Sequence, residues 1–219
     1  MTAATVALFA PATAHADHTI TLTFVRHAES AGNASGVIDT SVPGPDLSPQ
    51  GEQQAESVAQ SLGANGYDGI YASTMVRTQE TAAPLSKELS EPVTVLPGLR
   101  EIEAGDYEGK PEADAAQYLN APMAWLKGDR DARIPGSING NEFDARFDDA
   151  VEKIYDSGEV KPVAFSHSAA IMFWVLMNVK NRDMSLLNDW LPNTGHVVVV
   201  GSPRQGWTLT DWDGKQISG

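Results

Sequence analysis

Hydrophobic positions along this chain alternate between short strand-like runs and longer stretches with helical spacing. Residues 19–25, Thr-Ile-Thr-Leu-Thr-Phe-Val, are rich in β-branched and aromatic side chains, and predict a strand. The polar stretch 29–45, which contains Gly and Pro, predicts a loop. Ser48-Pro49 then opens a helix, with serine as the cap and proline in the first turn. Ala55, Val58, Ala59 and Leu62 fall on one face of that helix. Gly69–Ala72 predicts a second strand, Thr74–Leu89 a second helix and Val93–Val95 a third strand. Residues 105–140 are less regular, with several Gly and Pro. A helix from about Asn141 carries Phe143, Phe147, Val151 and Ile154 on one face, the spacing of a core-packing helix. Val163–Phe165 predicts a strand feeding a largely apolar helix from Ser168 to Val179, and Val197–Val200 with Trp207–Leu209 predict a closing strand pair.

Strands alternating with helices imply an α/β fold: one three-layer domain whose mainly parallel sheet is covered by helices on both faces. The 219 residues suffice for one such domain, and the sequence has neither an internal repeat nor a low-complexity linker. In open sheets of this kind ligands bind beyond the carboxyl ends of the strands. Arg26-His27 and His167 both sit at such ends.

Composition narrows the function. At 42% apolar and 20% charged residues the chain has the make-up of a globular protein. Its net charge of -14 argues against a nucleic-acid partner, because a polyanion would be repelled with no counterion release to offset it. An anionic substrate must then be held by a small local group of arginines and histidines. The absence of cysteine removes disulfides, thiol catalysis and Cys-bound zinc. Near the start, Ala3–Ala12 is largely apolar and too short for a membrane span, and Ala14-His15-Ala16 supplies a small-x-small pattern before Asp17. That pattern favours an export signal over residues 1–16 rather than a disordered tail, leaving residues 17–219 as the working domain of a secreted or cell-envelope protein. No other segment is apolar enough to span a membrane.

Chemistry concentrates after the strands. Arg26-His27-Ala28-Glu29 follows the first: a guanidinium fork matches phosphate oxygens, and a neutral imidazole can attack phosphorus. Taken alone, the pair reads equally as a histidine capping a strand end. Arg77, in the first turn of the second helix, adds cationic charge where a helix N-terminus already favours anions. Glu101, after the third strand, brings a carboxyl group, and His167, after the fourth, a second imidazole. No cluster of Asp and His near these residues has metal-ligand spacing, and none predicts a cofactor.

Together these segments resemble the histidine phosphatase, or phosphoglycerate-mutase-like, superfamily. Arg26-His27-Ala28-Glu29-Ser30-Ala31-Gly32-Asn33 is similar to its Arg-His-Gly-Glu-Ser/Thr-x-x-Asn motif. Leu47 to Ala55 resembles its Leu-Thr-x-x-Gly-x-x-Gln-Ala segment, and Ser73 through Arg77 to Thr81-Ala82 its Ser-x-x-x-Arg-x-x-x-Thr-Ala segment. Leu99, Glu101, Gly105, Tyr107, Glu108 and Gly109 follow the pattern of its phosphatase branch, and Ser166-His167-Ser168 that of its Ser-His-Gly. Five motifs in order are specific where each alone is weak.

The resemblance implies a metal-independent, cofactor-free phosphomonoesterase acting on a small phosphorylated substrate. It casts His27 as nucleophile and Glu101 as proton donor. Arg26, Arg77 and His167, with Asn33, would hold the phosphoryl oxygens. Ala28 and Ser168 replace family glycines and are expected to add atoms near the phosphate. Within 110–140, which matches no family segment, Arg130 and Arg133 are candidate substrate contacts, and that segment is expected to fold over the cleft. His196 is a further candidate for the cleft wall. Two alternatives stay open: transfer of the phosphoryl group back to a sugar acid, as in a mutase, and an inactive module that binds phosphorylated ligands.

Overall fold

A computed structural model describes residues 18–218. The expected signal segment therefore lies outside the described residues. Among these, seven strands form one sheet in the order β3-β2-β4-β1-β5-β6-β7: β1 Ile20–Arg26, β2 Gly69–Ala72, β3 Val93–Val95, β4 Pro162–Ser166, β5 His196–Ser202, β6 Gly206–Trp212 and β7 Lys215–Gln216. The four strands β3, β2, β4 and β1 are mutually parallel, while β5, β6 and β7 extend the sheet by antiparallel pairing. The predicted α/β fold with its closing strand pair is the observed one. Parallel neighbours matter for function because their carboxyl ends open on one edge, where β1 and β4 lie side by side with Arg26 opposite Ser166.

The alternation of side chains along β1 explains the layers. Ile20, Leu22 and Phe24 point to one face, where they join Phe143, Phe147 and Ile154 of α6 (Gly140–Asp156) and Ile171 and Trp174 of α7 (Ser168–Asn178). Val25 points to the other, against Val58 and Leu62 of α2 (Pro49–Gly63) and Ala82 and Leu85 of α3 (Val76–Leu89). Phe24 and Phe147 both meet the Trp174 ring, at centroid distances of 5.4 and 5.3 Å. Helix α7 is apolar all round because it is enclosed all round, and the one polar group of Trp174 donates to Asp148 Oδ1 at 2.7 Å. Phe173 and Trp174 are packing residues.

Capping sets the helix starts. Ser48 accepts from Gly51 N–H and Pro49 occupies the first turn, as the sequence predicts. Asn139 forms a capping box with Glu142, which starts α6 one residue before the predicted point. The predicted loop 29–45 contains a short helix, α1 (Ala31–Ser35), started by a capping box between Ser30 and Asn33 and ended by Gly36 in the left-handed region at φ 67°. The irregular segment 105–140 holds two more short helices, α4 (Ala115–Tyr118) and α5 (Asn120–Leu126).

Candidate active site

Four chain segments converge at the carboxyl edge of the sheet. Arg26 and His27 leave β1, Arg77 enters from the first turn of α3, Glu101 follows a 3₁₀ turn at Pro97–Leu99, and His167 joins β4 to α7. With Asn33 of α1 they surround a cleft of ≈ 380 Å³, to which His167 contributes from behind Arg77 rather than from the wall. A volume of that order suits a small-molecule ligand.

His27 is fixed on every side. Its backbone N–H donates to Ser166 O at 3.0 Å, and its carbonyl accepts from Asn193 Nδ2 at 3.0 Å. The ring Nδ1 lies 2.6 Å from Ala28 O, an acceptor only, so Nδ1 carries the proton. Nε2 then holds the lone pair, and Arg77 Nε donates to it at 3.2 Å. Burial, with Arg77 and Arg26 adding to it, holds the His27 pKa well below the ordinary imidazole value. The resting state is thus a neutral imidazole with its nucleophilic nitrogen facing a guanidinium.

His167 is buried 5.1 Å from the His27 ring, centroid to centroid. Arg77 Nη2 donates to its Nδ1 at 3.3 Å, which leaves Nε2 to donate to Ser73 Oγ at 2.9 Å. Burial, Arg77 and the neighbouring imidazole hold its pKa low as well. Arg26 is tied by Nη1 to Leu191 O at 2.6 Å. Arg26 Nε and Arg77 Nη1 are both buried without a hydrogen-bond partner. Two cationic donors left in that condition are costly unless an acceptor reaches them, and both belong to a site wide enough to admit an anion.

Glu101 is held at the N-terminus of α7. Oε1 accepts from Ile102 N at 2.9 Å and Ala170 N at 2.8 Å, and Oε2 accepts from Ala169 N at 3.3 Å. Burial raises its pKa, and these backbone donors and Arg77 offset part of the rise. Arg146 of α6 holds the loop that carries it, donating from Nη2 to Glu101 O at 3.2 Å and from Nη1 to Arg100 O at 3.2 Å.

Several expectations are corrected. Ala28 is fully buried with its N–H on Thr81 Oγ1 and adds nothing to the cleft, whereas Ser168 does line it. Arg130 pairs with Asp144 and Arg133 makes a two-pronged pair with Glu142, so neither reaches the cleft. His196 faces Asp211 at 3.3 Å and belongs to a separate depression beside Thr23 and Tyr67. At the N-terminus of α3, Val76 N donates to Pro43 O and Thr78 N to Met75 O, and Arg77 lines the site. Asn33 lines the cleft as expected; its Oδ1 accepts from Ser30 N, which leaves the Nδ2 donor, 3.5 Å from Glu112 Oε1, on the cleft side. The 110–140 segment does fold over the cleft, through Glu112, Ala115, Tyr118 and Leu119.

The segment around Gly51 braces the loop after His27. Ser48 Oγ donates to Glu29 Oε1 at 2.6 Å and Gln54 Oε1 accepts from Glu29 N at 2.8 Å. Gly51 itself presses on the Glu29 backbone so closely that an added Cβ would stand 2.0 Å from Glu29 O. Gly51→Ala is therefore expected to destabilise the fold by about 1–3 kcal/mol, the usual cost of overpacking. Urea denaturation measures it, and an unchanged midpoint would refute the brace.

A family model described as histidine phosphatase superfamily (branch 1) matches residues 22–214. A PE-PGRS family protein of Mycobacterium tuberculosis is 44% identical over 213 residues; the match covers 89% of this chain and 36% of that one. The chain thus spans little more than a third of that relative's length. A putative phosphoserine phosphatase 2 of Hydrogenobacter thermophilus is 30% identical over 179 residues, covering 80% of this chain and 86% of that protein. Among solved structures, a mycobacterial glucosyl-3-phosphoglycerate phosphatase complexed with VO3 superposes with a TM-score of 0.71 at 21% identity, over 90% of this chain and 100% of that one.

Proposed function

Since the chain belongs to branch 1 of the histidine phosphatase superfamily, we propose that it hydrolyses phosphomonoesters through a phosphohistidine on His27. The observation that carries this reading is the resting state of His27, neutral, with Nε2 unprotonated and surrounded by cationic donors.

The steps follow from the donors. A phosphoryl group entering the cleft offers oxygens to the guanidinium groups of Arg26 and Arg77, which line it. Arg77 Nε gives up the His27 lone pair for a phosphoryl oxygen, which frees the nucleophile as its target arrives. Nε2 attacks phosphorus in line, the ester P–O bond breaks, and the carboxyl proton of Glu101 passes to the departing oxygen. Water then attacks phospho-His27, Glu101 takes its proton, the P–N bond breaks, and phosphate leaves. The guanidinium groups supply the charge that a metal would supply elsewhere, already oriented before reaction. Burial lowers the pKa of both arginines from the ordinary value, and Glu101 opposes that shift. Arginine starts far enough above neutrality to stay charged.

Vanadate binding tests the oxygen-holding role. Arg77→Ala is expected to weaken vanadate affinity by about one to two orders of magnitude, the loss of charge-assisted hydrogen bonds to an anion. Unchanged vanadate affinity would place Arg77 outside the phosphoryl seat. Products decide between hydrolysis and the mutase alternative: free phosphate must account for the ester consumed, and an isomeric phosphate ester must not form.

A further inference from the structure

The walls of the cleft differ from its floor. Positive charge is confined to the floor, where Arg26 and Arg77 sit, and among the described residues neither Lys nor another Arg lines the site. Above the floor the wall is apolar on one side, formed by Val37, Ala115 and Leu119 with the ring of Tyr118. Trp190 also lines the cleft and contributes a large apolar surface that is 40% exposed. It is one of few large apolar side chains so exposed among the described residues, and it is no stray. Its ring rests edge-on against Phe173, centroids 6.2 Å apart, and the next residue, Leu191, accepts from Arg26 Nη1. The indole is thereby placed at a fixed distance from the phosphoryl seat. The remaining charged groups of the wall are acidic: Asp39 and Glu112.

The geometry points to a substrate class: monoesters whose alcohol is uncharged and carries a flat apolar group, stacked on Trp190 while the phosphoryl group rests on the arginines. This deepens the phosphomonoesterase reading and rests on it. An aromatic or similarly flat group gains from burial against an indole and from ring stacking. A second anionic group on the alcohol meets Asp39 and Glu112, with no cation beyond the floor to receive it, so phosphorylated carboxylic acids are disfavoured. Tyr118 is itself fixed, its hydroxyl donating to Ile102 O, so the apolar wall is held in register with Glu101.

The test compares esters whose leaving alcohols are equally poor. 2-Phenylethyl phosphate is expected to exceed ethyl phosphate in kcat/KM by about tenfold or more, mostly through KM, the worth of one stacked and buried ring. 3-Phosphoglycerate is expected to fall below ethyl phosphate. Trp190→Ala should reduce the phenylethyl-to-ethyl preference by about tenfold. A preference for the carboxylate ester, or a phenylethyl preference that survives Trp190→Ala, would overturn this assignment while leaving the phosphatase reading standing. Failure of all three esters to release phosphate, together with failure of His27 to take up label, would overturn both.

Discussion

Replacing His27 with alanine is expected to lower turnover of any phosphomonoester by about three orders of magnitude or more, because it removes the covalent step. The loss should come without loss of the fold. The imidazole's polar ties are the Nδ1 bond to the neighbouring carbonyl Ala28 O and the lone pair accepted from Arg77 Nε, and only the second reaches a helix, at the first turn of α3. The strand is held instead by backbone bonds, from Arg26 N to Gly195 O and from His27 N to Ser166 O. Thermal denaturation of the variant should accordingly stay close to that of the parent. The decisive measurement is single turnover with a ³²P-labelled ester, stopped in alkaline detergent: the parent should retain alkali-stable, acid-labile label, and the variant none. An inactive phospho-ligand module would fail to label in the parent as well. A variant that keeps near-parental turnover would show that the nucleophile lies elsewhere.

The strands and the long helices of this fold could be read from the sequence because their signals are local. A run such as Ile20 to Val25, or the face Phe143–Phe147–Val151–Ile154, announces its own periodicity. Helix α1 could not be read that way. Its five residues carry no apolar period, and only the Ser30–Asn33 capping pair marks it. The chemical residues were legible for a different reason: each follows a strand that ends at the same edge, so the pattern of elements brings them together. What escaped are contacts made far along the chain. Asn193 reaches the His27 carbonyl across 166 positions, and Leu191 receives Arg26 across 165. Nothing in the run Trp190 to Asn193 signals either. Arg130 and Arg133 misled for a related reason. Their carboxylate partners, Asp144 and Glu142, lie in the first turns of α6, which folds back beside them. A nearby acid of opposite charge outcompetes a distant substrate.

The second large effect joins Glu101 to pH. His27 must be neutral to attack, and its pKa is held low by burial and by Arg77 and Arg26. As pH falls the nucleophile is therefore lost only well below the ordinary imidazole range, which sets the acidic limb. Glu101 must carry a proton for the leaving oxygen, and burial raises its pKa. As pH rises that proton is lost, which sets the alkaline limb, and a bound phosphate dianion moves it further upward. The two shifts widen the interval in which both groups are competent, so the rate should follow a bell with its optimum on the acidic side of neutral. Glu101→Gln should lower steady-state turnover of alkyl phosphates by about two to four orders of magnitude, the usual range for a general acid–base group. Nitrophenyl phosphate separates the two duties of this residue. Its leaving group departs without a proton, so the variant should release one equivalent of nitrophenolate in a burst whose rate has no alkaline limb. It should then stall as phospho-His27, for want of a base to activate water. The amide that Glu101→Gln introduces can still accept from Ile102 and Ala170 N–H through its oxygen, which keeps the loop in place. Turnover of the parent enzyme should be complete in excess EDTA, since the oriented guanidinium groups already carry the charge. Activity lost to EDTA and restored by a divalent ion would overturn this mechanism, and so would a Glu101→Gln variant that neither bursts nor stalls.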